Sequence, residues 1–341
     1  MRHIGADLHK KSITFCVVEL ESGKTVVKHR RRMLCSDVLK LEQFLESQKP
    51  YSLVVETTIG FDWFAALAEK SANRVVLAHA GKLRVIAEST RKSDKIDAFV
   101  LAEFLAKDMI PEAWRPTSRV RQHRSLVRRR AKIQSRITSI KNTARGLVTR
   151  YNADRQDLFS KIGWRETMQL KLLEQDLWLL RDLHEDLEQN FERLEKLDAK
   201  LASFALTASA REAEARAILI TMRGVGPVTV DTVLAELGDW ERFRNADAVA
   251  SFAGLDPGVR ESDGKRHELK LSKSGSPLLR WIMIQLAHRM KRTSPRWRAV
   301  FERISKKAGK KKATCAVARR LLLVMYAMLR DGQCYQLAKT A

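Results

Sequence analysis

The fold of the first third of the chain is predicted most clearly by two segments, residues 4–10, Ile-Gly-Ala-Asp-Leu-His-Lys, and residues 53–56, Leu-Val-Val-Glu. Each contains a short apolar run of strand character that ends on a carboxylate, Asp7 in the first and Glu56 in the second. A carboxylate inside an apolar strand is costly unless it is paired or bound to a metal ion. If the two strands are neighbours, both carboxylates point off the same edge of one sheet.

The segments around these strands predict the rest of an α/β sheet. Residues 12–20 and 25–29 have strand composition, and the turn residues 21–24, Glu-Ser-Gly-Lys, separate them as in a hairpin. A further strand is predicted at residues 74–78, with helices before and after it. The order is three strands, helix, strand, helix, strand and helix, which matches an RNase H-like sheet. We assign this first domain to residues 1–112.

A basic helical region is predicted at residues 113–205. Residues 113–153 contain no Asp or Glu but twelve Lys and Arg residues, and their isoleucines are spaced as on one helix face. Leucines at near-heptad spacing run from Leu173 to Leu201, and no proline follows Pro116 in this region. We interpret the region as a long helical hairpin. It forms either a coiled coil that also dimerises the protein or a plain helical bundle inside one subunit.

The remaining residues, 206–341, predict a mainly α-helical domain with a basic helical tail. Residues 222–227, Met-Arg-Gly-Val-Gly-Pro, precede an apolar helix, a pattern similar to helix-hairpin-helix motifs. Such glycines let the backbone approach phosphate groups, and the helix N-terminus offers N–H donors. A simple turn between two helices is the alternative. No Gly-Lys-Ser or Gly-Lys-Thr follows these glycines, so the pattern does not indicate a P-loop.

The charge balance indicates a polyanionic partner. The 341 residues include 64 Lys and Arg against 40 Asp and Glu, a formal net charge of +24. Nucleic acid is the commonest partner of such a chain, and a membrane-surface protein or a merely soluble basic protein are the alternatives. The four cysteines form no CxxC pair, which predicts reduced thiols and no zinc site. Because no apolar run has the length of a signal peptide core or a membrane span, we expect a cytoplasmic protein.

Candidate contacts with nucleic acid come from the acid-free stretch, the glycine turn and the basic residues of the last domain. They are Arg121, Arg124, Arg128, Arg129, Lys132, Arg136, Arg223, Gly224, Gly226, Lys265, Arg266 and Lys273. A run of charges is usually only a solvated face. Twelve cations without an acidic residue in the same stretch favour contacts with a phosphate backbone instead.

Two further carboxylates complete a candidate metal site. Asp94 and Asp97 lie in residues 92–98, Lys-Ser-Asp-Lys-Ile-Asp-Ala, and their i, i+3 spacing predicts one face of a first helical turn. Magnesium prefers hard oxygen ligands, and two such ions can activate an attacking oxygen and stabilise a leaving one. We expect Asp7, Glu56, Asp94 and Asp97 to be catalytic and to bind Mg²⁺, as two ions. The simpler alternatives are a strand-end turn for Asp7 and a carboxylate that favours the helix dipole for Asp94.

These segments resemble the DEDD transposases, which are insertion-sequence recombinases related to pilin gene invertases. The resemblance spans nearly the whole chain and keeps its order. The segments that carry it are residues 4–10, 54–60 and 92–98 in the first half and residues 223–227, 251–257 and 271–281 in the second. It implies a catalytic domain similar to Holliday-junction resolvases of the RNase H fold.

The resemblance also implies a catalytic serine in the second half, which attacks DNA and forms a covalent phosphoserine link. The family shows a Ser-Gly after its Gly-Leu-x-Pro segment; here Ser262 holds that place and Asp263 replaces the glycine. Ser272, Ser274 and Ser276 are competitors. For the first two, a loop that caps the next helix is the alternative role.

A serine nucleophile needs activation by a base, a metal ion or nearby cations. Arg260, Lys265, Arg266 and His267 are the candidates here. The resemblance further implies a composite site, in which the acidic domain and the serine domain come from different subunits. It implies dimers that pair into tetramers on donor and target DNA, and a non-coding bridge RNA that guides the choice of DNA.

Three hypotheses follow from these observations. The first is a DNA transposase and site-specific recombinase that uses magnesium and a serine–DNA intermediate. The second is a metal-dependent junction endonuclease that uses water and needs no serine. The third is a non-catalytic nucleic-acid-binding scaffold, which would tolerate Asp7→Asn or Asp97→Asn.

Overall fold

The computed structural model describes residues 1–58, 60–86, 94–262 and 265–336. For residues 84–86, 94–96, 258–262 and 265–270 it describes the backbone only. The chain divides into two compact units, Met1–Arg115 and Pro116–Ala341. No helix in the described ranges combines the length and the apolar character that a bilayer crossing requires.

A five-stranded mixed sheet forms the centre of the first unit. Its strands are β1 (Arg2–Leu8), β2 (Ser12–Glu21), β3 (Lys24–Leu34), β4 (Tyr51–Glu56) and β5 (Arg74–Ala78). They lie in the order β3-β2-β1-β4-β5. The first three strands are antiparallel, and β4 and β5 continue parallel to β1. The predicted α/β character of this part of the chain is confirmed.

Helices cover both faces of this sheet. They are α1 (Val38–Ser47), α2 (Phe61–Ala68), α3 (Ala80–Ile86) and α4 (Asp94–Ala106). Since strand residues alternate between faces, Ile4, Ala6 and Phe15 point into a core shared with α1 and α2. Cys16 and Val54 point to the opposite face and pack against α4. Helix α3 had no counterpart among the predicted elements.

Helix α4 lies in backbone contact with β1 at Gly5. A Cβ atom at this position would lie 2.1 Å from the carbonyl oxygen of Ala98 and 2.6 Å from the amide nitrogen of Ala102. Only glycine therefore allows the helix to approach the strand this closely. The contact sets the height of α4 above the sheet, and with it the position of the carboxylate that precedes Ala98 on the helix.

Two long helices begin the second unit. Helix α5 (Ser118–Thr149) and helix α7 (Glu174–Leu206) pack along each other, with the short α6 (Lys161–Thr167) between them in sequence. Apolar contacts join Val127 to Leu201 near one end and Val148 to Leu180 near the other, so the two helices run antiparallel. The predicted helical hairpin is therefore built within one chain, whereas its role in dimerisation stays a prediction.

The rest of the second unit is helical apart from one hairpin. Its elements are α8 (Ala210–Ile220), α9 (Pro227–Leu237), α10 (Ala246–Phe252), β6 (Pro257–Ser262), β7 (Lys265–Leu271), α11 (Pro277–Thr293) and α12 (Pro295–Asp331). One apolar core, which includes Trp240, Met283 and Leu321, joins the helices. Helix α12 is interrupted at Gly309, where φ is 79° and ψ is 161°. The β6–β7 hairpin was not among the predicted elements.

A buried ionic network ties α5 to α8 and α9. His123 Nε2 lies 2.9 Å from Asp231 Oδ1, and Arg216 donates to Asp231 at 2.7 Å and to Glu212 at 2.9 Å. Burial by itself would raise the pKa of both carboxyl groups. Hydrogen bonds and positive charge outweigh it, from His123 and Arg216 at Asp231 and from Arg119 and Arg216 at Glu212, so both pKa values lie below their usual range.

The Gly5 contact predicts that even one added methyl group destabilises the first unit. Gly5→Ala should lower the free energy of unfolding by about 1–3 kcal/mol, because the new Cβ meets backbone atoms that cannot rotate away. Gly146→Ala is the control. It is exposed in the last turn of α5 with no atom near the new Cβ, and should stabilise by at most about 0.5–1 kcal/mol. Thermal denaturation measures both; equal effects of the two substitutions would contradict the expected contact.

The ionic network predicts that Arg216→Met lowers the free energy of unfolding by an amount that depends on pH. At neutral pH the variant should lose about 2–3 kcal/mol of unfolding free energy, because the buried Asp231 and the partly buried Glu212 lose their shared cation while each keeps one other partner. Since both folded pKa values are lowered, the stabilisation is present above the unfolded pKa of about 4 and is lost as the pH falls through the folded values. The difference in melting temperature from wild type should therefore shrink below about pH 4. Lys196→Met, which removes an exposed pairing with Glu192, should cost at most about 0.5 kcal/mol.

Candidate active site and nucleic-acid interface

Asp7 and Glu56 directly follow the paired stretches of two neighbouring parallel strands. In the parallel β1–β4 pairing, Gly5 lies opposite Val54 and Ala6 opposite Val55, and Asp7 and Glu56 are the next residues of the two strands. Side chains alternate along a strand, and Gly5 and Val54 face α4; Asp7 and Glu56 therefore face the same side. Neighbouring strands lie about 4.8 Å apart. The predicted meeting of these two carboxylates at one edge agrees with this register.

A histidine that the sequence analysis did not single out contacts Asp7. His9 Nε2 lies 3.0 Å from Asp7 Oδ2, and the side chain of His9 is half exposed while that of Asp7 is 13% exposed. The histidine follows β1 at its carboxyl end, in the Asp-x-His spacing. A contact of this kind orients the carboxylate and offers a group that can carry a proton at the same edge.

Helix α4 carries the other two predicted carboxylates. Ala98 and Ala102 contact Gly5, and Leu101 packs on the same side of the sheet, so this stripe of α4 faces the sheet. Asp97 lies one residue before Ala98 and is exposed. Asp94 is the first residue of α4, and its side chain lies outside the described part of the structure.

The donor chemistry of this edge fits a hard divalent cation, since the residues offered are carboxylates. Among side chains that the structure describes, no three His, Cys, Asp or Glu residues form a group that could hold a metal ion. Asp7, Glu56 and Asp97 therefore do not make a closed ligand set by themselves. A complete set would need the fourth carboxylate, a movement of α4, or oxygen atoms of a bound substrate.

The serine candidates differ in their surroundings. Ser262 is the last residue of β6 and pairs with Lys265 across the hairpin end; the side chains of both, and of Arg266, lie outside the described part. Ser272 is exposed, and its hydroxyl donates to Asp256 Oδ1 at 2.6 Å. Ser276 is buried: it caps α11 by accepting from the Leu279 amide and donates to Glu236 Oε2 at 3.0 Å. Ser274 is exposed.

The glycine turn before α9 has one face toward the core and one open face. Gly224 has a φ of 94°, and a Cβ there would meet Met290 Sδ at 3.0 Å, so a glycine is required by the fold itself. Gly226 precedes α9, and a Cβ there would meet no atom within 4 Å. Val225 between them is buried, whereas Arg223 is exposed. The open side of the turn therefore carries Gly226 and Arg223. Lys273, which follows the hairpin, is exposed as well.

Part of the acid-free stretch is engaged within the protein. Arg128 donates to both carboxylate oxygens of Glu236 at 2.8 and 3.0 Å, and Glu236 is fully buried. Arg124 donates to the carbonyl oxygens of Ala235 and Glu236 at 2.8 Å each, near the end of α9. Arg121 donates to the carbonyl oxygen of Pro116 at 2.8 Å. Thus Arg128 is neutralised by an acidic residue about a hundred positions away in sequence, and Arg124 and Arg121 donate to backbone carbonyl oxygens.

Three other predicted cations of α5 stay on the surface. Arg129, Lys132 and Arg136 are exposed and lie at i, i+3 and i+7, which is one side of a helix. Among the described residues, none of the three has an acidic side chain within ion-pair distance. This side of α5 is therefore the part of the acid-free stretch that is best suited to contact phosphate groups.

Family comparisons match both halves of the chain. A DEDD-type model of the IS110 group, described as a transposase, matches residues 4–153. A second model, described as transposase IS116/IS110/IS902 family, matches residues 216–302. The first match includes all four predicted metal-binding carboxylates, and the second includes the serine candidates.

Individual relatives give the same picture. The chain is 32% identical to the insertion element IS110 uncharacterized 43.6 kDa protein of Streptomyces coelicolor, over 35% of this chain and 30% of that protein. It is 26% identical to a probable family 20 transposase of Pseudomonas aeruginosa, over 46% of either chain. It is 22% identical to the pilin gene-inverting protein of Moraxella bovis, over 97% of this chain and 96% of that protein. The chain thus spans less than half the length of the first two relatives and almost all of the third.

The exposed side of α5 predicts a salt-dependent loss of nucleic-acid binding. Replacing Arg129, Lys132 and Arg136 together by Gln should weaken binding of any DNA or RNA sequence. The slope of log K against log salt should fall by about 0.9 for each duplex phosphate contact removed. The matched control replaces three exposed cations of α7, Arg193, Lys196 and Lys200, by Gln, which removes the same net charge and should leave the slope nearly unchanged. Filter binding or fluorescence anisotropy across a salt series measures both, and equal slopes for the two triple variants would refute the assignment.

Proposed function

This chain belongs to the IS110-type transposase family, and on that premise we propose that it is a DNA transposase and site-specific recombinase of an insertion sequence. The observation that supports the proposal is the parallel pairing of β1 with β4, the two strands that carry Asp7 and Glu56, beside a helix, α4, that carries Asp94 and Asp97. The strand order β3-β2-β1-β4-β5, with three antiparallel strands followed by two parallel to β1, supports an RNase H-like assignment for the first unit.

The four carboxylates are the proposed ligands of magnesium, as a pair of ions. Bound magnesium would lower the pKa of an attacking oxygen and neutralise charge on the phosphate. The residues of this chain would hold the metal site at the ends of the strands. His9 orients Asp7, since His9 Nε2 lies 3.0 Å from Asp7 Oδ2. The DEDD-type family match supports use of a divalent metal ion.

Ser262 is the proposed nucleophile. Its Oγ forms a bond to the scissile phosphorus as the bond from phosphorus to the departing sugar oxygen breaks, and the serine proton passes to a base. The phosphodiester is thus exchanged rather than hydrolysed, so the reverse attack by a different DNA hydroxyl completes strand exchange. Two competitors have partners: Ser276 caps α11 from a buried position, and Ser272 donates to Asp256. Lys265, Arg266 and the other cations of the hairpin are the candidates to activate Ser262.

The proposed partners are DNA, RNA and further copies of the chain. Donor and target DNA are bound with a non-coding bridge RNA that guides their choice, and the net charge of +24 supports polyanionic partners of this size. Dimers pair into tetramers on DNA, with the long α5–α7 hairpin as a coiled coil between subunits. The carboxylates lie in the first unit and the serines in the second, which suits a composite site. The protein acts in the cytoplasm.

A metal-dependent endonuclease of the Holliday-junction type is the second candidate. It would use the same carboxylates with water as the nucleophile, and a sheet edge that carries several carboxylates suits that chemistry equally well. The two candidates differ in the role of Ser262. Under the endonuclease, Ser262→Ala leaves cleavage intact and no protein–DNA adduct forms.

The test is incubation of the full chain with donor DNA, Mg²⁺ and RNA transcribed from the sequence that flanks the gene. Wild type should form a covalent protein–DNA adduct that maps to Ser262, and Ser262→Ala should lose both the adduct and strand exchange. Asp7→Asn and Asp97→Asn should lower the rate of strand cleavage at least about 100-fold. Loss of a residue that only hydrogen-bonds to a metal ligand has a smaller effect. Cleavage retained by Ser262→Ala would favour the endonuclease. An adduct lost only in Ser272→Ala would overturn the serine assignment, and full activity of Asp7→Asn would leave only a binding scaffold.

A further inference from the structure

Three residues form a row across the sheet, from Asp7 on β1 to the outermost strand, β3. In the strand register, Asp7 lies opposite Thr14 of β2, and Thr14 lies opposite Arg32 of β3. Residues paired across neighbouring strands point to the same face, so all three belong to the face that carries α4. Two strand spacings separate the Cα atoms of Asp7 and Arg32, which is about 10 Å.

Thr14 is buried without a hydrogen-bond partner. Its exposure is 5%, and its Oγ1 finds no partner in the described part of the chain. A buried hydroxyl in this state is unusual in folded proteins and calls for a reason, since valine would fill the same space without the cost of desolvation. A threonine hydroxyl can donate one hydrogen bond to an anion. Its position beside Asp7 is where substrate of a carboxylate site would lie.

Arg32 is held by a neutral group. Its Nε and Nη2 donate to Ser12 Oγ at 3.3 and 3.1 Å, and Ser12 is 5% exposed. Ser12 lies two residues before Thr14 and thus on the same face. Within the described ranges, no carboxylate lies within ion-pair distance of Arg32. The guanidinium therefore has a fixed direction and an uncompensated charge.

The preceding residue, Arg31, has the same charge but a different position. Arg31 lies on the opposite face of β3, with its guanidinium 5.6 Å from the ring centre of Phe44. Arg31 and Arg32 are both exposed and carry the same charge. Only Arg32 belongs to the row that leads to Asp7. The pair thus offers a matched control within one strand.

We propose that Arg32, Thr14 and Ser12 form a binding site for a phosphodiester group of the DNA strand that is processed at Asp7 and Glu56. The exposed planar guanidinium donates to two phosphate oxygens, and the Thr14 hydroxyl, which is buried in the free protein, is uncovered when DNA binds and donates a further hydrogen bond. The carboxylates repel the backbone of the same strand, so a cation about two strand spacings away offsets that repulsion and fixes where along the strand the chemistry occurs. The inference rests on the proposed DNA-processing function and names three substrate-positioning residues for it.

The test uses DNA in which one phosphate at a time is replaced by a neutral methylphosphonate, bound by the full chain with its RNA and with Ca²⁺ in place of Mg²⁺. Wild type should lose about 10-fold or more in affinity at one linkage close to the cleavage site. Arg32→Ala should weaken binding of unmodified DNA by a similar factor and should no longer respond to that linkage. Arg31→Ala removes the same charge and should keep the full response.

Thr14→Val separates positioning from folding. The variant should melt at the wild-type temperature or higher, because an unpartnered buried hydroxyl is removed, yet bind DNA more weakly and cleave it more slowly. Arg32→Lys should keep the salt dependence and recover only part of the affinity. If Arg32→Ala and Thr14→Val match wild type at every linkage while Asp7→Asn is inactive, the phosphate site is refuted and the proposed function stands. If Asp7→Asn cleaves as wild type does, the proposed function itself fails.

Discussion

The backbone contact between helix α4 and strand β1 at Gly5 is the constraint on which the first unit depends. A helix normally rests on a sheet through a layer of side chains, but here Ala98 and Ala102 lie against a strand that has none at this position. The helix is therefore lowered toward the sheet beside the strand end that bears Asp7. The small residues at the contact directly follow Asp97 and lie one turn after Asp94, so the close approach of α4 also sets the height of these two residues above the sheet.

Charge compensation shapes the second unit in a comparable way. The chain has a large excess of cations, yet Glu236 and Asp231 are buried, Glu212 is partly buried, and each is held by arginine or histidine from α5 or α8. These ion pairs attach one side of α5 to the C-terminal core. The other side, with Arg129 and Lys132, stays exposed. One basic helix thus has a structural face and a face open to solvent, and the same residue type serves both.

The sheet edge joins three kinds of groups. Asp7 and Glu56 carry carboxylate oxygens, His9 contacts Asp7, and the row through Thr14 to Arg32 carries hydroxyl groups and a positive charge. The groups come from separate strands and become neighbours only through strand register. A one-residue slip of β2 would turn Thr14 to the core and remove the row, because side chains alternate between faces.

The α/β character of the first unit and the helical hairpin could be predicted from the sequence alone, because both follow from local periodicity. The neighbouring positions of the strands that carry Asp7 and Glu56 agree with the predicted order of strands. It did not indicate α3 or the β6–β7 hairpin, whose short segments carry little periodic signal. Nor could it separate Arg124 and Arg128 from Arg129 and Arg136, since a helix face is defined by what packs against it. The partners of those arginines lie about a hundred residues away in sequence. The tertiary structure was needed to show that Arg128 is already neutralised, that the Thr14 hydroxyl is buried without a partner among the described residues, and that Arg32 lies in register with Asp7, because each depends on contacts between distant segments.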